Sequence, residues 1–95
     1  MVVKRFVWDA AKNEWLKKVR GISFENVIVA ITVGDLLDTM NHPNRVKYPN
    51  QRMYVVKIND YAYLVPFVES EDEIALKTII PNRRATRIYL RGKQP

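Results

Sequence analysis

The 95-residue chain contains no cysteine and a single histidine, His42. The first absence excludes a disulfide scaffold, a Cys-ligated zinc and a cysteine nucleophile. The second excludes a multi-His metal site within one chain. Glycine is scarce too. Gly21, Gly34 and Gly92 stand alone, so no Gly-rich loop cradles a nucleotide phosphate. No window approaches the ~20 apolar residues of a membrane span. The first residues, MVVKRFVWDAAKNEWLKK, place Lys4, Arg5 and Asp9 where a secretory signal needs ~7–15 apolar residues. A cytoplasmic location without membrane attachment is therefore expected. The last scarcity is local. From Lys77 onward there is no acid, while Lys77, Arg83, Arg84, Arg87, Arg91 and Lys93 are basic.

What is present fits one globular domain over 1–95. Hydrophobic residues make up 47% and charged residues 27%, a balance that argues against a disordered chain. With 16 Lys+Arg against 10 Asp+Glu the net charge is +6. Such an excess favours a polyanionic partner: nucleic acid, an anionic membrane or an acidic protein.

Patterning predicts an opening strand over Val3–Trp8. Asp9 then caps a helix over Ala10–Arg20, with Trp8, Ala11, Trp15 and Val19 on one face and a Glu14–Lys18 pair. Gly21 suits the left-handed position after it. Ser23 caps a second helix, Phe24–Val33, buried through Phe24, Val27, Ile28 and Ile31 and stopped by Gly34. A short strand over Asp35–Thr39 and an Asn/Pro-rich loop over 40–51 follow. Arg52–Ile58, Tyr61–Val68 and Ile74–Ile80 read as strands, the first two joined at Asn59-Asp60. Pro81 ends the last of them, and Asn82 caps a short helix over Arg83–Arg91. The order β-α-α-(β)-β-β-β-α describes an α+β fold. It has an antiparallel sheet of three to five strands, two N-terminal helices and a short C-terminal helix, with the helices on one sheet face.

The tail carries the most chemistry. Arg84, Arg87 and Arg91 share a helical face, which is either an anion-binding surface or a solvated basic face. Guanidinium suits phosphate because its planar fork donates paired hydrogen bonds and keeps its charge. Lys77 either joins these arginines or is a solvent-facing strand lysine. His42 lies beside Arg45, Lys47, Tyr48 and Arg52, and is either a general acid–base group or a surface-loop histidine. Tyr61 and Tyr63 share a strand face, where they either stack bases or pack the fold. Asp35 and Asp38 form no evident catalytic pair, and the ESEDE run at 69–73 reads as a hairpin tip. No carboxylate set for a metal stands out and no cofactor is expected.

Three motifs carry a family resemblance. Trp8-Asp9 with Lys12 and Asn13 looks like an opening W-D-x-x-K-x-x-x-N. Gly21-Ile22-Ser23-Phe24-Glu25 is similar to a G-[IV]-S-F-E helix start. Lys77-Thr78-Ile79-Ile80 with Arg83-Arg84-Ala85-Thr86 looks like an R-I-I-S-A-R-[KR]-A-T ending. Over about residues 4–91 the chain thus resembles the BrnT toxins of bacterial type II toxin–antitoxin systems, a branch of the RelE-like ribonucleases. Pro81-Asn82 replaces the Ser-Ala of that ending, and Arg87-Ile88-Tyr89-Leu90 lacks the acid of its R-x-E-R continuation.

The resemblance implies a RelE-like fold and a metal-independent endoribonuclease that cleaves mRNA, alone or on the ribosome. It also implies a ribbon-helix-helix, DNA-binding antitoxin as partner in a hetero-oligomer. On this reading Arg83 and Arg84 hold the scissile phosphate, Lys77 stabilises developing charge, and His42 or Tyr89 moves a proton. Lys12, Arg52, Arg87, Arg91, Tyr61 and Tyr63 contact RNA. The alternative is a non-catalytic basic module that binds nucleic acid or a protein partner.

Overall fold

A computed structural model describes residues 4–91 of the chain. Val3 of the expected first strand and Lys93 of the basic tail lie outside the described residues. The chain runs β1 (Arg5–Val7), α1 (Ala10–Arg20), α2 (Phe24–Thr32), β2 (Leu36–Asn41), β3 (Gln51–Ile58), β4 (Tyr61–Glu69), β5 (Glu73–Leu76), β6 (Ile80–Pro81), α3 (Arg83–Thr86) and a π-helical turn over Arg87–Arg91. The sheet order is β1-β5-β4-β3-β2, with β6 also paired to β4. Only the β1–β5 pairing is parallel. The fold is α+β as the patterning predicts, with six strands where three to five were expected.

Local chemistry sets the boundaries. Asp9 accepts the Lys12 N–H at 2.9 Å and starts α1. Gly21 ends it at φ 64°, the left-handed conformation a Cβ disfavours. Ser23 and Asn26 form a reciprocal capping box at the start of α2. Asn59 and Asp60 both take positive φ (53° and 61°), as a tight β3–β4 hairpin turn requires.

Three expectations are corrected. First, α1 buries Asn13 and Leu16, while Trp15 and Val19 stay 43% and 58% exposed. Asn13 turns inward beside Leu16 because it has hydrogen bonds to make there. Its Oδ1 accepts the Phe24 N–H and its Nδ2 donates to Glu25 Oε1, both at 2.8 Å, which satisfies the α2 terminus. Lys12 Nζ sits 4.5 Å from the Trp15 ring centroid, so the exposed indole is partly covered by a cation. Glu14 pairs with Lys17 at 3.0 Å rather than with Lys18.

Second, the expected strand Ile74–Ile80 breaks after Leu76. Lys77 donates its N–H to the Pro66 carbonyl at 2.8 Å, but Pro66 has no N–H to return. The chain leaves the ladder there, buries Ile79, and rejoins β4 at Ile80 opposite Leu64.

Third, helices cover both sheet faces. Leu16, Phe24, Val27 and Ala30 pack on Val56, Val65, Phe67, Leu76 and Ile79 on one side. On the other, Ala85, Tyr89 and Leu90 close over Val55, Ala62, Leu37 and Leu64. The C-terminal segment carries its own apolar stripe, so it covers the second face that a one-sided reading left open. No helix among the described residues is long and apolar enough to cross a membrane.

Candidate functional site

The C-terminal segment is held by four hydrogen bonds that satisfy backbone groups. Asn82 Oδ1 accepts the Ala85 N–H at 2.7 Å and caps α3. Thr86 Oγ1, on a residue 1% exposed, accepts the Ala62 N–H at 2.9 Å and donates to the Asn82 carbonyl at 2.8 Å. The Asn82 N–H in turn donates to the Ala62 carbonyl at 3.0 Å. The first turn of α3 thus occupies the flank of β4 that another strand would take.

Between this segment and the β2–β3 loop lies a groove of about 420 Å³. Met53, Val55 and Leu64 supply its sheet residues, Met40 and Pro43 one side, and Ala85, Ile88 and Tyr89 the other; Asn82 and Arg84 complete it. Arg83, Arg84, Arg87 and Arg91 are all exposed. Lys77 is exposed, one residue beyond buried Leu76 and just past the end of β5.

Some of the basic residues are paired. Lys4 pairs with Glu69 at 2.6 Å, Arg5 with Glu73 at 2.7 Å, Lys57 with Asp35 at 3.8 Å, and Arg52 with Glu69 at 3.9 Å. Among the described residues, Lys77, Arg83, Arg84, Arg87 and Arg91 have no acidic partner within 4.0 Å. The same holds for Lys12, Lys18, Arg20, Arg45 and Lys47.

Tyr89 reaches across the groove wall and donates its hydroxyl to Asp38 Oδ2 at 2.5 Å. Asp38 Oδ1 accepts the Thr39 N–H at 2.8 Å. These two donors hold the Asp38 carboxyl below its ordinary range, the phenol first. The carboxylate likewise raises the Tyr89 phenol above its usual value, first by accepting its hydrogen bond. Two backbone irregularities produce this contact. Register shifts between Leu36↔Val56 and Asp38↔Val55, so a bulge brings Leu37 and Asp38 to bear on the same face. On the other partner, the helix widens into a π turn over Arg87–Arg91 with Tyr89 at its centre.

The remaining expected site residues separate. His42 precedes Pro43 of the groove, but its Nδ1 accepts the Asn44 N–H at 3.0 Å and its ring packs 4.5 Å from Tyr48. The loop's own backbone therefore uses the nitrogen a base would offer. Lys12 lies on α1. Arg52 shares the α1–α2 sheet face, 5.8 Å over Phe67. Tyr61 and Tyr63 lie on that face too, edge-on at 5.8 Å, and Tyr63 packs against the main core. This pairing is not a parallel platform for bases. Arg91 adjoins a smaller hollow of about 320 Å³ with Lys57, Asp60 and Leu90. Of the expected residues, Arg84 and Tyr89 line the groove, Arg83 and Arg87 neighbour them on the C-terminal segment, and Lys12, Arg52, Tyr61 and Tyr63 lie behind the sheet.

From the sequence, Asp38 is set aside with Asp35 as forming no evident catalytic pair, because nothing local marks a bulge there or ties residue 38 to residue 89. No cluster of three or more potential metal-ligating side chains occurs among the described residues. No family model, curated protein or solved structure matches the chain.

Proposed function

We propose that the chain is an endoribonuclease of the BrnT toxin kind, cleaving mRNA without a metal and held in check by a ribbon-helix-helix antitoxin. The supporting observation is the run of exposed arginines on the C-terminal segment, Arg83, Arg84 and Arg87, with Arg84 and Tyr89 lining the adjoining groove. Arg83 and Arg84 grip the scissile phosphate, and Lys77 steadies charge building on its oxygens. Arg87 and Arg91 follow the strand away from the cut. Catalysis here is alignment of the ribose 2′-hydroxyl with phosphorus plus electrostatic stabilisation, and each is a task for fixed cations.

Incubating the purified chain with RNA in excess EDTA tests this reading. Cleavage products are expected, and induced expression should arrest growth. Intact RNA with and without ribosomes, together with normal growth, refutes it. A second reading is a non-catalytic RNA-binding module. It draws on the engagement of both expected proton movers, His42 through Nδ1 and Tyr89 through Asp38. That reading predicts binding that weakens steeply with salt and yields no products.

A further inference from the structure

We infer that Asp38 is the general base of the proposed RNA-cleaving site, its carboxylate taking the 2′-hydroxyl proton while Tyr89 and the Thr39 N–H hold it in place. This inference rests on the endoribonuclease reading and adds the residue that reading lacks. The tail supplies cations and no carboxylate. Of the two groups expected to move protons, His42 has its Nδ1 committed to the Asn44 N–H. Tyr89 gives its proton to a hydrogen bond that makes the phenol harder to ionise. Asp38 is the group at this junction that is both ionised at neutral pH and solvent-exposed.

The backbone around it is unusual on both sides. A β-bulge aims Asp38 at the C-terminal segment, and a π turn carries Tyr89 to meet it. Either irregularity disrupts a regular ladder, and both features recur where a side chain must be re-aimed at a functional site. Each Asp38 oxygen receives one donor, at 2.5 and 2.8 Å, so orientation is fixed from both ends. A carboxylate has about four lone-pair sites, which leaves acceptor capacity for a substrate hydroxyl. Register sets Asp38 opposite Val55, a residue of the groove.

The charged and titratable groups on the elements packed around Asp38 are Arg83, Arg84, Arg87, Tyr89 and Arg91 of the C-terminal segment, Lys57 of β3 with Arg52 and Tyr54 on that strand's opposite face, and His42 just after β2. Lys57 is bridged to Asp35, and among the described residues no cation comes within 4.0 Å of the Asp38 carboxylate. The base is therefore not neutralised by an ion pair.

In the step, the 2′-hydroxyl proton passes to Asp38 as the 2′-oxygen bonds to phosphorus. The bond from phosphorus to the 5′-oxygen breaks, and that oxygen takes a proton from water. The hydroxide left behind is neutralised by the proton Asp38 then releases. The products are a 2′,3′-cyclic phosphate and a 5′-hydroxyl.

The test compares the wild type, Asp38→Asn and Tyr89→Phe on an RNA oligonucleotide in EDTA. Binding is followed on the same oligonucleotide with a 2′-deoxy residue at the cut. Asp38→Asn is expected to lose ~10²–10⁴-fold in kcat, the range for a general base, while binding the deoxy oligonucleotide within about twofold. Tyr89→Phe removes the donor that lowers the Asp38 pKa, so the acidic limb of its kcat profile should move to higher pH. Cleavage by Asp38→Asn within threefold of wild type overturns the assignment and leaves the ribonuclease reading standing. A parallel loss of binding, or an unmoved limb in Tyr89→Phe, also overturns it and makes Asp38 a structural tie. Absence of cleavage by the wild type removes the ribonuclease reading and Asp38's role with it.

Discussion

Replacing Thr86 by valine probes how the C-terminal segment is held on the sheet. The two side chains are nearly the same shape, so the change removes one buried hydroxyl and little volume. That hydroxyl is the acceptor for the Ala62 N–H at 2.9 Å, on a residue with no solvent exposure. Without it the amide is buried and unpaired, which costs about 1–3 kcal/mol. The Asn82 carbonyl loses the hydroxyl as donor but still accepts the Thr86 N–H at 3.1 Å, so its loss is small. The added methyl returns up to ~0.8 kcal/mol of burial. A net loss of about 1–2 kcal/mol follows. At ~4–8 °C per kcal/mol for a domain of this size, Tm should fall by about 4–16 °C. Urea unfolding should show a lower midpoint at unchanged slope. Thr86→Ser, which keeps the hydroxyl, should leave the Ala62 amide satisfied and cost only the lost methyl. A Thr86→Val protein as stable as the wild type would mean that this hydroxyl does not satisfy β4, and the anchoring account would fail.

Four further outcomes are expected. Asn13→Ala should cost about 2–4 kcal/mol in denaturant unfolding, because it leaves the buried Phe24 N–H unpaired and removes the donor to Glu25. Gly21→Ala should cost about 1 kcal/mol through backbone strain alone, since a Cβ there meets nothing within 4 Å; a neutral result would contradict the left-handed cap. The Glu69 carboxyl is held below its ordinary value by the Lys4 hydrogen bond and charge, and by Arg52. Its contribution is therefore present above the ordinary carboxylate range and lost as pH falls through the lowered pKa. Glu69→Gln should flatten the acid side of the stability profile, and an unchanged profile would refute the pairing. Finally, Arg84→Ala should weaken RNA binding and reduce the salt slope by about one phosphate contact, whereas Lys12→Ala, behind the sheet, should change neither.

Features set by neighbouring residues were readable from the chain. Asp9, Gly21, Ser23 and Asn82 mark helix ends through contacts three or four positions away, and each acts where the pattern places it. Strand alternation located β3 and β4 to within a residue at each end. What failed depended on partners far along the chain. The inward turn of Asn13 is decided by the backbone of Phe24, which outweighs the burial of Trp15. The break after Leu76 is decided by Pro66 on the neighbouring strand, although the sequence around Lys77 reads as uninterrupted β. The expectation of helices on one face failed because the apolar stripe of the tail, Ala85, Tyr89 and Leu90, is long enough to cover the second face by itself.

The same logic explains why the candidate site was half legible. Its cations form one acid-free stretch, and composition exposes that directly. Its carboxylate comes from a strand 51 positions earlier, aimed by a bulge that no local pattern encodes. The separation has a physical rationale. An acid placed within the tail would pair with Arg83, Arg84, Arg87 or Arg91 at helical spacing and neutralise the charge a phosphate requires. A carboxylate supplied by β2 and engaged by a neutral phenol stays ionised without consuming a guanidinium. The arginines keep their charge for the ligand, and Asp38 keeps its lone pairs. On the proposed reading, a site that presents both signs gains by drawing them from elements that meet only in the folded state.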